Sequence, residues 1–179
     1  MDQEKKRLFI GIPIEDFLLQ EFVDFFKVQP YDPKVRWTAT ENLHITLVFK
    51  GNTEYYRITE IKEQISEFLK TKPSFNLNFD KYCTMPLCEP RMVWAKYNVD
   101  PIHTLIAEGI AKIMRANIDA KPIPHVTLAR FKPEAAHKLI KLDFPLEMKI
   151  VKVNKIHLYE SILHPEGPEY KILDTYFLA

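Results

Sequence analysis

Two short stretches of the chain share one pattern: residues 44–47 read His-Ile-Thr-Leu and residues 125–128 read His-Val-Thr-Leu. Because successive side chains of a strand point to opposite faces, the histidine and threonine of each copy share one face, and the aliphatic residues pack the other. A single H-x-T is typical of an ordinary half-exposed strand. A second copy with the same fourth residue and the same strand context instead indicates two similar lobes, each with one motif on an inner strand.

Strands and helices are mixed along the chain without the regular alternation of a parallel sheet, which favours the α+β class. Helical periodicity covers 14–27, about 58–69 and 101–114, and a short helix is predicted to begin at Pro133. His103 and His137 fall on predicted helices and are expected at the surface. The predicted strands are 7–12, 35–38, 43–49, 75–79, 92–96, 123–131, 149–163 with a bend near Asn154, and 170–178.

The composition predicts a compact unit with its own core. Of 179 residues, 46% are hydrophobic and 27% are charged, so we expect one bilobal domain over residues 1–179. The chain has four glycines, and no two lie close together in sequence. Neither a P-loop nor a G-x-G-x-x-G turn can therefore be formed, which excludes nucleotide-cofactor enzymes of those two kinds. No cofactor is expected.

The charge balance is nearly even, with 25 Lys and Arg against 24 Asp and Glu. Proteins that coat long nucleic acids carry a basic excess, so we expect any nucleic-acid contact to involve one local phosphate. The chain has no signal-like N-terminus and no apolar stretch long enough to span a bilayer. We therefore expect a soluble, cytoplasmic monomer with no membrane partner.

The two cysteines, Cys83 and Cys88, lie in one proline-flanked stretch. A zinc site needs about four ligands, and neither a second cysteine pair nor an H-x3-H follows, so no metal site is predicted. A disulfide across this short loop is one interpretation. Two free thiols in a reducing cytoplasm are the preferred one.

Two histidines on facing strands, each beside a hydroxyl, suit transfer at a phosphodiester without a metal. A neutral imidazole can take a proton from water while an imidazolium gives one to the leaving oxygen, and histidine's pKa of about 6.5 permits both forms near neutral pH. The threonine hydroxyls can bond the non-bridging oxygens, where charge develops. A strained cyclic phosphate is a suitable substrate because it needs no strong nucleophile.

The sequence resembles the 2H phosphoesterase superfamily, in particular the bacterial and archaeal RNA 2′,3′-cyclic phosphodiesterases, historically called 2′-5′ RNA ligases. The likeness spans almost the whole chain and rests on blocks that occur in the family's order. These blocks are Arg7–Ile10, Val35–Trp37, Glu41–Leu47 with Phe49 and Gly51, Pro124–Arg130, and Leu158–Ser161 with Gly167 and Tyr170.

The resemblance implies a bilobal α+β fold in which two antiparallel sheets surround a central cleft, with helices outside and a pseudo-twofold axis. It also implies hydrolysis of RNA or nucleotide 2′,3′-cyclic phosphates to 2′-phosphates. By the family pattern His44 is the proton donor to the 3′-oxygen and His125 is the base that activates water. Thr46 and Thr127 hold the phosphate, and Arg130 supplies charge to it.

Three alternatives stay open from the sequence. Arg130 lies five residues after His125, so a regular strand places it on the opposite face, and it reaches the cleft only where the strand ends or bulges. Trp37, Phe9 and Phe49 either stack on a base or pack in the core. The chain could also ligate 2′-5′ RNA ends without ATP, or bind RNA ends or nucleotides without catalysis, although a binder has no need of two histidines.

The paired histidines also predict a bell-shaped dependence of kcat/KM on pH. Because a nearby phosphate favours imidazolium, we expect this bell to lie above histidine's ordinary pKa of about 6.5.

Overall fold

A computed structural model describes residues 5–117, 122–132 and 140–179. Within these residues the chain forms nine strands and three α-helices, which confirms the α+β class. The strands are β1 (Lys5–Pro13), β2 (Val35–Trp37), β3 (His44–Glu54), β4 (Phe75–Met85), β5 (Met92–Tyr97), β6 (His125–Phe131), β7 (Ile150–Val153), β8 (Lys155–His164) and β9 (Gly167–Phe177). The helices are α1 (Asp16–Lys27), α2 (Ile58–Leu69) and α3 (Pro101–Met114), with short 3₁₀ turns at Thr40–Asn42 and Tyr55–Arg57.

All strand pairs are antiparallel, and the strands fall into two halves. We call β3, β1, β8 and β9 the His44 half, and β6, β2, β5, β4 and β7 the His125 half. Each half has its motif on the strand nearest the middle, as the repeated pattern predicts. The two predicted sheets meet where β3 pairs with β6 at Ile45 and Val126, so the strands form one continuous curled sheet.

The helices pack on the two halves through apolar side chains at helical spacing. On α1, Leu18, Phe22 and Phe25 are buried, and the ring of Phe25 stacks on Tyr82 of β4 at 4.5 Å between centroids. On α2, a stripe of four aliphatic residues is buried, and Lys62 donates to the backbone oxygen of Leu173 on β9. The helix α1 therefore covers the His125 half, while α2 covers the His44 half.

The helix α3 begins at a proline, and the side chain of Asp100 caps it by accepting hydrogen bonds from two backbone N–H groups. It packs on α2 closely, because a Cβ at Gly109 would lie 2.1 Å from the ring of Phe68. His103 is 0% exposed on this helix, so its predicted surface position is wrong. The reason is that His103 lies one turn before Ile106 on the buried stripe, where it faces the core.

Other predictions have mixed outcomes. The expected bend near Asn154 is confirmed, because β7 ends and β8 begins on either side of it. Cys83 is half-buried and Cys88 is exposed, and both are free thiols, as preferred.

The predicted helix at Pro133 and the position of His137 lie outside the described residues. No helix among the described ranges is long and apolar enough to cross a membrane.

Candidate active site

The two motif strands contain the same irregularity. Along β3, Thr46 lies opposite Gly11 and Val48 opposite Ile10, which leaves Leu47 without a partner on β1. Along β6, Thr127 lies opposite Trp94 and Ala129 opposite Val93 of β5, and one residue is again skipped. Each strand thus carries a β-bulge one residue after its threonine, and an extra residue reverses which face the following side chains take.

The bulge decides the position of Arg130. Its neighbours Leu128 and Ala129 are both buried, so the alternation shifts by one and Arg130 returns to the face of His125 and Thr127. Its guanidinium Nη1 lies 3.2 Å from the sulfur of Met92. The strand therefore bulges between His125 and Arg130, which is what the sequence analysis required for Arg130 to reach the cleft. The equivalent residue of β3 is Phe49, which is 49% exposed.

A cavity of about 750 Å³ opens beside the junction of β3 and β6. It is lined by His44, Thr46, Thr127 and Arg130, together with residues of β1, β2 and the β8–β9 hairpin. His125 is outside this lining. It lies farther along the same face of β6, and the antiparallel pairing at Ile45 and Val126 sets it beside Thr46, with His44 beside Thr127.

His44 is fixed at both ring nitrogens. Nδ1 donates to the backbone oxygen of Asn42 at 2.8 Å, and Nε2 lies 3.0 Å from Oγ1 of Thr46. In the neutral ring Nε2 is therefore the acceptor, and the threonine hydroxyl donates to it. Phe9 and Tyr170 flank the ring, with centroids at 4.8 and 5.2 Å. Burial lowers the pKa of His44 to about 4, against the opposing effect of the bond to Asn42.

His125 is held in a different way. Nδ1 donates to the backbone oxygen of Ile123 at 2.7 Å, two residues earlier, as His44 donates to Asn42. The ring then stacks face to face on Trp94, with centroids 3.6 Å apart and planes at 17°. Burial lowers the pKa of His125 also, the bond to Ile123 opposes this, and the charge of Arg130 adds to the lowering.

The pKa values of the two histidines bear on the expected pH dependence. The charge of Arg130 lowers both values, and His125 also lowers that of His44, which agrees with the close grouping of the three side chains. In the free protein burial is the first cause at each ring. For the free protein these shifts favour a bell below the ordinary histidine value rather than above it, and the sequence alone does not show this burial.

The rim of the cavity contains cations that sequence reasoning did not assign. The guanidinium of Arg7 lies 4.9 Å from the ring centroid of Phe49. Arg36 on β2 donates to the backbone oxygen of Glu166, and Asn42 donates to that of Pro168 at 2.8 Å. The β8–β9 hairpin of the His44 half is thus tied to β2 of the other half. These contacts join residues distant in sequence, so no local pattern marks them.

The three aromatic candidates divide between the two interpretations. Phe9 is buried, and its ring stacks on Tyr159 at 4.7 Å. Trp37 lines the cavity but packs its ring against Phe25 and Phe26 of α1. Phe49 is the exposed member of the three and remains open to a ligand.

A metal site is not evident in the described part of the chain. Across residues 5–117, 122–132 and 140–179, no group of three or more His, Cys, Asp or Glu side chains is placed to hold an ion. The polar groups that converge on the cleft are instead two imidazoles, two hydroxyls and a guanidinium. These groups can donate protons and hydrogen bonds to an anion, and two of them can also accept a proton.

Comparison with known proteins places this geometry in a family. A family model for LigT-like phosphoesterases matches residues 15–94. Over 176 residues the chain is 30% identical to an RNA 2′,3′-cyclic phosphodiesterase of Thermotoga maritima, covering 93% of this chain and 92% of the relative. Over 179 residues it is 28% identical to one from Archaeoglobus fulgidus, covering 95% and 99%.

Solved structures share the fold. Escherichia coli LigT, crystallised with phosphate, matches with a TM-score of 0.81 at 21% identity, over 98% of this chain and 99% of that one. A Thermus thermophilus protein matches with a TM-score of 0.80 at 24% identity, over 96% and 97%. The predicted bilobal 2H phosphoesterase fold is confirmed. With the full-length match to the Thermotoga enzyme, it follows that this chain belongs to the LigT-like phosphoesterases, the family of RNA 2′,3′-cyclic phosphodiesterases.

Proposed function

We propose that this chain hydrolyses RNA 2′,3′-cyclic phosphate ends to 2′-phosphomonoesters by two-histidine acid–base catalysis without a metal. The observation that carries the proposal is the duplicated site at the β3–β6 junction. Each histidine donates its Nδ1 proton to a carbonyl, so Nε2 is the atom left to exchange protons, and each has a threonine beside it. The names of the relatives supply the substrate class.

In this mechanism Nε2 of His125 accepts a proton from water as the water oxygen bonds to phosphorus. The bond from phosphorus to the 3′-oxygen breaks, and Nε2 of His44 gives that oxygen its proton. The hydroxyls of Thr46 and Thr127 donate to the non-bridging oxygens, and Arg130 offsets their growing charge. Each proton transfer contributes roughly 10²–10⁴ in rate.

The low pKa of His44 bears on when this ring takes up the proton that it donates in the proposed mechanism. Near neutral pH the buried ring is mostly neutral in the free protein. A bound phosphodiester brings a negative charge next to the ring, and an adjacent opposite charge raises the pKa of a histidine. Substrate binding therefore promotes proton uptake at the cleft, which supplies the imidazolium that the leaving oxygen needs.

We also propose that residues 1–179 act as one bilobal domain, because Arg36 of β2 ties the His125 half to the β8–β9 hairpin of the His44 half. We propose further that the chain acts as a monomer. The free thiols of Cys83 and Cys88 suit a reducing cytoplasm. Sedimentation of the purified protein tests the monomer, and a dimer would contradict it.

The function is tested by incubating the protein, dialysed against EDTA, with an oligonucleotide ending in a 2′,3′-cyclic phosphate. We expect phosphorus NMR to show only the 2′-monoester, because protonation of the 3′-oxygen makes it the leaving group. A 3′-monoester would contradict the assigned roles, and a requirement for added magnesium, manganese or zinc would contradict the metal-free mechanism. Joining to a 5′-hydroxyl RNA would favour ligation, and binding without turnover would favour a non-catalytic module.

A further inference from the structure

The indole of Trp94 covers one face of the His125 imidazole. Trp94 lies on β5, directly opposite Thr127 in the strand pairing. Its ring is nearly parallel to that of His125, with centroids 3.6 Å apart. This is a full face-to-face contact with the ring that the proposed mechanism uses as its base.

The hydrogen bond from Nδ1 of His125 to Ile123 leaves one motion of the ring free. A single bond at 2.7 Å fixes the position of Nδ1, but the ring can still tilt about the line joining the two atoms. Such a tilt moves Nε2, which is on the far side of the ring. An aromatic plane packed against the imidazole blocks this tilt in one direction, so it determines where Nε2 points.

The other half of the cleft shows that the fold itself does not require an aromatic residue here. The equivalent position, opposite Thr46, is Gly11. A Cβ there would already lie 3.2 Å from Cδ2 of His44, so no side chain fits at this position, and the β1 residue beside the ring is Phe9, which is tilted by 36° with centroids 4.8 Å apart. His44 is positioned instead by the hydroxyl of Thr46 at Nε2.

Trp94 also carries a cost that packing alone does not explain. Its Nε1 is buried and has no hydrogen-bond partner among the described residues. Buried tryptophans usually place this N–H against an acceptor, because leaving it unpaired lowers stability. A leucine would fill an apolar position without that penalty. The indole is therefore better explained by its contact with His125.

We propose that Trp94 is a positioning residue, which holds the imidazole plane of His125 so that Nε2 faces the attacking water. This inference rests on the proposed function, in which His125 is the base. Trp94 does not touch the reacting atoms in this scheme. Its effect passes through the orientation and the charge of the neighbouring ring.

The first test compares Trp94→Leu, which removes the aromatic plane, with Trp94→Phe, which keeps a ring. We expect Trp94→Leu to lower kcat about 10- to 100-fold while KM changes less than about twofold, because the ring orientation rather than substrate binding is lost. Trp94→Phe should restore kcat to within about threefold of the wild type, since a smaller ring can still stack. Equal losses in the two variants would overturn the proposal.

A second measurement does not depend on turnover. NMR titration of the His125 ring should show its pKa falling by about half a unit or more in Trp94→Leu, because an aromatic face stabilises imidazolium and leucine keeps the ring covered without that attraction. The matched control is Phe79→Leu, a change of an aromatic residue that packs on Tyr82 and Tyr97 behind the sheet. It should lower the melting temperature but leave the titration of His125 in place.

These two measurements separate the proposal from the function on which it rests. A wild-type protein without hydrolase activity would contradict the proposed function, and the NMR titration would still report on the stack. An active wild type with an unchanged titration and unchanged kcat in Trp94→Leu would contradict the role of Trp94 alone. A titration that moves equally in Phe79→Leu would also contradict it, because the effect would then come from general loosening of this half.

Discussion

The two histidines of the cleft have the same backbone setting but different surroundings. Both donate Nδ1 to a carbonyl two residues earlier, and both precede a bulged segment. His44 has a threonine hydroxyl at Nε2 and is enclosed by aromatic rings of its own half, whereas His125 lies flat on Trp94. The duplicated strand thus fixes which ring nitrogen is bonded to the backbone, and the residues of the neighbouring strands give each ring its own environment.

The same contrast extends to the residue that follows each bulge. The His125 half presents the cation Arg130, and the His44 half presents Phe49 with Arg7 beside its ring. In the His125 half, a positively charged side chain therefore lies on the same strand as the histidine. The other half offers an exposed aromatic surface at the matching point. A symmetric backbone thus carries two different sets of side chains, as the proposed reaction requires, in which one oxygen is protonated and another loses its proton.

The largest effect on activity is expected from replacing each histidine separately. We expect His44→Ala and His125→Ala each to lower the turnover of a cyclic-phosphate substrate at least about a hundredfold, because each removes one proton transfer. The double variant should lose far less than the product of the two, since the groups act as a unit. Circular dichroism controls for folding, and a folded single variant with near-full activity would exclude that histidine as acid or base.

The next largest effect is expected at the two residues after the bulges. Arg130→Met should lower kcat about 10- to 100-fold, since a cation near the developing charge is lost. Phe49 occupies the equivalent position in the His44 half. Phe49→Leu should mainly raise KM, and by a smaller factor than the loss of kcat in Arg130→Met. Steady-state kinetics with one cyclic-phosphate oligonucleotide measures both variants. A larger kcat loss in Phe49→Leu than in Arg130→Met would reverse the roles of the two halves.

A smaller loss is expected from filling the space beside His44. The added methyl of Gly11→Ala would lie 3.2 Å from Cδ2 of His44 and 3.2 Å from the backbone oxygen of Ile45. The strand oxygen cannot move easily, so the strain should cost about 1–3 kcal/mol of stability and displace the ring. We expect kcat to fall about tenfold. Unchanged kcat and melting temperature would mean that the strands separate freely at this point.

The pH dependence distinguishes the free cleft from the occupied one. Burial lowers the pKa of His44 to about 4 and also lowers that of His125, so the bell of kcat/KM, which reports the free enzyme, should lie below pH 6.5. A bound phosphate anion raises both values, so the bell of kcat should lie at higher pH. Rate profiles over about pH 4 to 9 measure both. Coincident bells would contradict the proposed uptake of a proton on binding.

The fully buried His103 is expected to contribute to the pH dependence of stability. Burial lowers the pKa of His103 to about 4, well under its ordinary value of 6.5. Above pH 6.5 both the folded and the unfolded chain keep it neutral, and between pH 6.5 and 4 only the unfolded chain gains the proton. As the pH is lowered from 6.5 to 4, the free energy of unfolding should therefore fall, and His103 should account for about 3 kcal/mol of this loss.

The substitution His103→Leu tests this assignment because it keeps the volume apolar. We expect a flatter dependence of urea-unfolding stability on pH than in the wild type, while activity near pH 7 stays within about twofold. An equally steep dependence in the variant would assign the acid sensitivity to other groups. His44→Ala provides the comparison, because its pKa is lowered to a similar value inside the cleft.

The sequence predicts the parts of the site that depend on local periodicity. The shared face of His44 and Thr46 follows from strand alternation, and the repeat at His125 predicts the second half. Arg130 could be placed only conditionally, because a bulge depends on pairing with β5, which no local pattern shows. The sequence predicts Trp94 only as a strand residue for the same reason, because its stacking partner His125 is more than thirty positions away. The expected surface position of His103 is wrong because a polar residue on the apolar stripe of a helix faces the core.

The bulge in β6 limits how the length of this strand can be altered. Side chains alternate between the two faces of a strand, and the bulge shifts this alternation by one residue. His125 and Arg130 can therefore share the cleft face only when an odd number of sequence positions separates them, here five. Deleting Leu128 should turn the guanidinium of Arg130 toward the core while leaving His125, Thr127 and Arg130 themselves unchanged. The length of this five-residue step therefore decides where Arg130 points, and matching the two halves of the chain residue by residue requires that no gap be placed inside it.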